Sequence, residues 1–150
     1  MTPRTINSEA VAAIVEQHAA RPEMLVQILQ QIVQRYGWIS ETVTRQLATA
    51  LNLSRADVHG VVEYYHDFRT EPPGKHIVRI CQAEACQAMG SRELTEHAKK
   101  VIDADTTLEA VYCLGNCACA PAVMVDGKTL GRVSTRRFDA ALASMREANS

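Results

Sequence analysis

Apolar residues in the first 70 positions recur at helical spacing, with polar residues on the remaining faces. Val11, Ile14 and Val15, with Ala19 a turn later, mark one face of a first helix that Ser8 is placed to cap. Pro22 stands where a first helical residue belongs. Leu25, Ile28, Leu29, Ile32, Val33 and Tyr36 follow, and Gly37 supplies the stop. Ser40 opens a third helix with Val43, Leu47 and Leu51 inward. Ser54 opens a fourth, with Asp57 as the acidic member of a capping box. Val58, Val61, Val62 and Tyr65 form its apolar stripe. The expectation is a small helical bundle.

Pro72-Pro73-Gly74 interrupts this rhythm and predicts a boundary at about residue 74. Beyond it, Ile77, Val78 and Ile80 form a β-prone run ending at Cys81. Residues 91–102 read as helix with Leu94, Ala98 and Val101 inward, and Leu108 to Tyr112 as a second strand ending at Cys113. Val123-Met124-Val125 and Thr129-Leu130 flank Asp126-Gly127, a two-residue hairpin signal. A last helix from about Ser134 carries Phe138, Ala141, Leu142 and Met145 on one face. The order β-α-β-β-β-α predicts a small mixed sheet with helices packed on it. The fold class expected is α+β: a helical bundle over residues 1–73, then a sheet domain over 74–150.

Composition narrows the function classes. A hydrophobic content of 47% with 22% charged residues is that of a globular protein. The net charge of −1 offers no basic surplus for phosphates, so nucleic-acid binding has no electrostatic support. No apolar run approaches the roughly 20 residues that span a bilayer, so no direct membrane insertion is expected. The opening residues lack the basic-then-apolar order of a secretory signal. The chain reads as cytoplasmic.

All five cysteines lie between positions 81 and 119. An odd count in a reducing compartment argues against a disulfide framework. Cys81 and Cys86 form C-x4-C, and Cys113 and Cys117 form C-x3-C. Both pairs begin where a predicted strand ends, which brings the thiolates to one edge of the sheet. Four thiolates there can hold the two irons of a [2Fe–2S] cluster. The small residues Ala83, Ala85, Gly115, Ala118 and Ala120 let backbone N–H groups approach the sulfurs. Structural zinc also takes four cysteines and stays open as a second reading, that of a zinc-stabilised interaction module. A third is a free-standing ferredoxin or redox sensor using Cys119, against which the helical extension speaks. A Rieske centre needs histidines that neither pair contains, and a thioredoxin dithiol needs C-x-x-C. Cys119 is surplus to four ligands and reads as a small apolar residue in a tight loop.

These motifs resemble the thioredoxin-like [2Fe–2S] subunit shared by NADH:quinone oxidoreductase, NAD-reducing hydrogenases and NAD-dependent formate dehydrogenases. The resemblance runs from about residue 20 to the C-terminus. It is carried by Tyr36-Gly37-Trp38-Ile39, by Val58 to Phe68, by Pro73-Gly74-Lys75-His76, and above all by Cys113-Leu-Gly-Asn-Cys117 with Ala120-Pro121. It implies a thioredoxin-like ferredoxin domain with Cys81, Cys86, Cys113 and Cys117 as the cluster ligands, and Cys119 outside the set. It implies single-electron transfer with no substrate site on this chain. It further implies a partner subunit that carries FMN, iron–sulfur centres and the NAD site. The stretch 81–90 is most similar to the gamma subunit of molybdenum-containing formate dehydrogenases. That branch would add a molybdopterin-bearing catalytic subunit; the alternative is the equivalent subunit of NADH:quinone oxidoreductase or NAD-reducing hydrogenase.

Other side chains carry weaker signals. His59 and His66, seven apart, are placed to share a helix face. They, His18, His97 and His76 read chiefly as surface or packing residues. Tyr64, Tyr65 and Phe68 divide evenly between core and interface. Glu84, between two cysteines, reads as a solvated carboxylate, and Arg132, Arg136 and Arg137 as a solvated helix start.

Overall fold

A computed structural model of the chain describes residues 6–147. The chain divides into two compact units at the Pro73–Gly74 junction.

The first unit is helical. Its helices are α1 (Ser8–Gln17), α2 (Leu25–Tyr36), α3 (Glu41–Ala50) and α4 (Arg55–Tyr64), with a 3-10 turn at Pro22–Met24 leading into α2. Their starts follow local chemistry. The Ser40 hydroxyl accepts the Val43 N–H at 3.2 Å. Ser54 and Asp57 form a reciprocal capping box. The α1 cap is Asn7 rather than Ser8: the Asn7 side chain accepts the Glu9 N–H, and Ser8 is already helical. Both residue types cap well, so the expectation is off by one position. Gly37 closes α2 in the left-handed region at φ 86°, which a side chain would disfavour. The buried core takes Val11, Ile14, Val15, Leu25, Ile28, Leu29, Ile32, Val43, Leu47, Val58 and Val62. Ala19 lies past the end of α1 at φ 54° and is exposed.

The second unit holds β1 (His76–Cys81), α5 (Glu84–Ala88), α6 (Ser91–Val101), β2 (Thr106–Val111), β3 (Val123–Val125), β4 (Lys128–Leu130) and α7 (Thr135–Glu147). The sheet order is β2-β1-β3-β4, with β1 parallel to β2 and the other pairs antiparallel. Register places Val78 opposite Val125 and Ile80 opposite Val123. These four side chains make one apolar face, which Leu94 and Ala98 of α6 and Phe138, Leu142 and Met145 of α7 cover. Across the parallel pair, Arg79 meets its register partner Glu109 at 2.9 Å. The Asp126-Gly127 turn, at φ 46° and 84°, is the type that matches strand twist in a two-residue hairpin.

Three departures from sequence expectation occur here. The five-residue α5 spans the second cysteine, Cys86, in a segment too short for periodicity to reveal. β2 begins at the β-branched Thr106 and stops at Val111, so Cys113 lies two residues beyond it. The element order is accordingly β-α-α-β-β-β-α. Among the described residues no helix is long and apolar enough to cross a membrane.

Candidate metal centre

Cys81 is the last residue of β1, held by its N–H to the Ala122 carbonyl at 3.0 Å. Gln82 continues the register, donating its N–H to the Val111 carbonyl at 2.7 Å. The chain then turns into α5, which carries Cys86. Both sulfur-bearing residues are buried, at 1% and 2% exposure, in a small cluster with Ala120 and Ala122. Cys113 and Cys117 are exposed, Cys113 on irregular backbone and Cys117 at the start of a 3-10 turn. Cys113 has φ 98° and Gly115 φ 70°. A left-handed residue in such a turn directs successive N–H groups into a concavity suited to negative charge.

The sulfurs face these donors. The N–H groups of Cys113 and Leu114 reach across to the Cys81 sulfur, as does that of Ala83 from its own loop. Gly115 N–H donates to the Cys113 sulfur at 3.4 Å. The Ala122 N–H serves Cys86. Burial works against a thiolate at Cys81, but the N–H donors and the Cys86 thiol outweigh it and lower its pKa. Burial raises the pKa of Cys86, aided by its neighbour Cys81. The hydrogen bond and charge of Cys113 raise that of Cys117, with Cys81 adding to it. Cys86 and Cys117 therefore resist becoming thiolates beside their neighbours. A cation removes that conflict.

The Cys113 and Cys117 sulfurs stand 3.8 Å apart. That is about the edge of a sulfur tetrahedron whose centre lies ~2.3 Å from each thiolate, a usual metal–thiolate length. Among the described residues no three His, Cys, Asp or Glu side chains converge tightly enough to chelate a single ion. The cysteines stand two and two. Cys119 turns elsewhere, in a 3-10 turn (Cys117–Cys119) against the backbone of Gly131. A Cβ on Gly131 would lie 2.6 Å from the Cys119 Cβ and 2.7 Å from the Asn116 amide nitrogen. Arg132 N–H donates to the Cys119 carbonyl, which seats the turn on the chain leaving β4.

The remaining candidates are dispersed. His66 lies beyond the end of α4, so it shares no helix face with His59. Tyr65 caps α4 instead of extending its stripe; Tyr64 and Tyr65 are exposed and Phe68 is buried. His18 closes α1 with its ring on Gln31, and His97 bonds Asp139 of α7 at 2.7 Å. His76 is buried with Nδ1 2.7 Å from Asp126. Glu84, Arg132, Arg136 and Arg137 are exposed. Sequence reasoning missed Gly131, which no local motif marks.

Paired thiols at the end of a short mixed sheet, beside backbone N–H donors, make a thiolate centre of the kind that iron–sulfur proteins use. The chain belongs to the thioredoxin-like [2Fe–2S] ferredoxin family, whose pattern matches residues 11–146. A [2Fe–2S] cluster is therefore its cofactor, and the all-thiol donor set fits one. The chain is 29% identical over 145 residues to an NADH-quinone oxidoreductase subunit of Pseudomonas aeruginosa, covering 88% of this chain and 87% of that one. It is 27% identical over 142 residues to HndA, a subunit of the NADP-reducing hydrogenase of Solidesulfovibrio fructosivorans, covering 89% and 83%. Its fold is similar to part of an NAD+-reducing [NiFe]-hydrogenase at TM-score 0.66 and 22% identity, covering 83% of this chain. The chain spans only 23% of the length of that hydrogenase chain.

Proposed function

We propose that Cys81, Cys86, Cys113 and Cys117 together hold the [2Fe–2S] cluster, and that the chain is an electron-transfer subunit of a larger NAD-linked oxidoreductase. The observation that carries the ligand assignment is the bond from Gln82 N–H, next to Cys81, to the carbonyl of Val111, two residues before Cys113, which brings both loops to one end of the sheet. The two-and-two arrangement supports it, because each iron of such a cluster takes two protein ligands. When bound, the cluster accepts and returns one electron. The protein keeps water from the Cys81 side, supplies N–H donors to the sulfurs and leaves the Cys113 side open to a partner.

The assembly is of the NADH:quinone oxidoreductase or NAD-reducing hydrogenase kind, as the similarity to the Pseudomonas aeruginosa protein and to HndA supports. The partner is a flavin- and NAD-binding iron–sulfur subunit. The formate dehydrogenase branch, with its molybdenum subunit, rests on residues 81–90 alone, and the named relatives favour the other branches. The site lies on a chain expected to work in the cytoplasm. Residues 1–73 serve as a helical extension to the ferredoxin domain, 74–150.

Anaerobic reconstitution tests the reading. Expected are a reddish-brown protein and about two irons with two labile sulfides per chain. Stoichiometric zinc without sulfide, after exposure to iron and sulfide, overturns it in favour of a structural zinc module. In the second stage the loaded chain meets NADH alone, then NADH together with its flavin-binding partner. Reduction is expected only in the second case.

A further inference from the structure

Cys86 sits on a helix that cannot support itself. Five residues fall far below the length at which a helix is stable in water, and Ala83 at its start offers no side-chain cap. Something else must hold the Cys81–Cys86 spacing. Gln87 Nε2 donates to the Gln82 carbonyl at 2.7 Å, a bond closed across the turn from β1 into α5. Gln82 and Gln87 each directly follow one cysteine of the pair, so the bond spans the same loop as the two sulfurs. The other end of the Gln87 amide, Oε1, accepts from the Arg92 guanidinium at 2.7 Å. Gln82 is itself fixed: its N–H goes to Val111 and its side-chain Nε2 to Thr95 Oγ1, both at 2.7 Å. A chain of bonds thus runs from the end of the sheet through the first cysteine loop to the first two turns of α6.

We propose that Gln87 is a positioning residue for the cluster: its amide, oriented by Arg92 and closed on the Gln82 carbonyl, sets the separation of Cys81 and Cys86. Orientation is what makes the amide specific. Arg92 has donors only, so it selects the Gln87 oxygen and leaves the nitrogen to face the Gln82 carbonyl. A carboxylate at position 87 would keep the Arg92 contact but present an acceptor to an acceptor. This inference rests on the ligand assignment above.

The test uses the full chain and two readouts, one of which needs no cluster. In metal-free protein, alkylation of Cys86 by iodoacetamide is followed by mass spectrometry with Cys119 as internal reference. In reconstituted protein, iron release to a chelator is timed and the electron paramagnetic resonance g-values of the reduced cluster are recorded. Gln87→Ala and Gln87→Glu should each speed Cys86 alkylation and iron release roughly tenfold, the scale of effects from groups that orient metal ligands. Both should shift the g-values. Arg92→Met should act in the same direction and more weakly, and the Gln87→Ala/Arg92→Met double variant should add nothing to Gln87→Ala. Unchanged alkylation in both Gln87 variants overturns the clamp. Faster alkylation with unchanged release and g-values overturns its role toward the cluster and leaves only a structural bond. Failure of the unmutated chain to take up iron and sulfide would instead overturn the ligand reading, while the alkylation arm still decides whether the clamp exists.

Discussion

The two cysteine loops bring the same side chain to one end of the sheet by opposite means. Cys81 and Cys86 are buried on regular elements, one ending a strand and one inside a short helix. Cys113 and Cys117 are exposed, one on irregular backbone beside the 70%-exposed Tyr112 and one opening a single 3-10 turn. The first loop is held by packing and by side-chain hydrogen bonds. The second is held by conformation: left-handed residues at 113 and 115, and the seat that Gly131 provides. One loop insulates the site and the other presents it. The division suits an electron carrier, which needs a fixed, dry side and an approachable one.

Ligand deletion is the harshest way to break this comparison. Cys86→Ala and Cys117→Ala should both lose the cluster, read as visible absorbance and iron content, despite their different exposure. Cys119→Ala should retain it. Cluster loss in Cys119→Ala with retention in Cys117→Ala would mean the second loop binds through a different sulfur. Thiol accessibility sharpens the contrast next. In metal-free protein Cys113 and Cys117 should alkylate roughly tenfold or more faster than Cys81 and Cys86, following exposure and thiolate access. Equal rates would show that the first loop opens freely in solution.

Two glycines separate the means by which the second loop is held. Gly131→Ala forces a methyl group into the Cys119 backbone and Cβ, and should destabilise by about 1–3 kcal/mol in chemical denaturation. Gly115→Ala meets nothing within contact distance, so it carries only the left-handed backbone penalty of about 1–2 kcal/mol. Only Gly131→Ala should also raise the alkylation rate of Cys119. The smallest effect is in pH. Cys86 and Cys117 have folded pKa values raised above the ordinary thiol range, so they favour the fold below that range and withdraw the contribution as pH rises through their folded values. Cys81, lowered, contributes in the opposite sense, above the unfolded value. Cys86, raised by burial, should make metal-free protein lose stability as pH climbs above about 8.5, the ordinary thiol value, and Cys86→Ser should lessen that loss. Thermal melts under reductant at pH 7.5 and 9.5 check the sign.

Legibility in the sequence followed the range of the forces involved. Caps at Ser40 and Ser54, the Gly37 stop and the Asp126-Gly127 hairpin act within a few residues, and a reader of the sequence finds them. The core faces of α2, α6 and α7 were equally open, because periodicity reports burial directly. The end of α4 was not: no breaker stands at Tyr65, and the chain leaves the helix there without one. α5 was hidden because five residues are too few to show a period, and its bonds through Gln87 run to Gln82 and Arg92, outside the helix. The cysteine spacings pointed to a thiolate metal site, yet nothing local told which pair would be buried. That depends on strand order, with Cys81 on a central strand of the sheet and Cys113 past the end of an edge strand.

The close passage of Gly131 over the Cys117–Cys119 turn bears on how this site could be moved to another protein. A designer grafting the C-x3-C loop to serve as half of the site would carry both of its sulfurs and both left-handed residues, yet leave behind the surface that the turn rests on. A host whose backbone bears a side chain at that point would push the turn outward and spoil the bite between Cys113 and Cys117. The transplantable form of this half of the site is therefore the loop together with the exit of the β3–β4 hairpin, two stretches of chain that are one object in space.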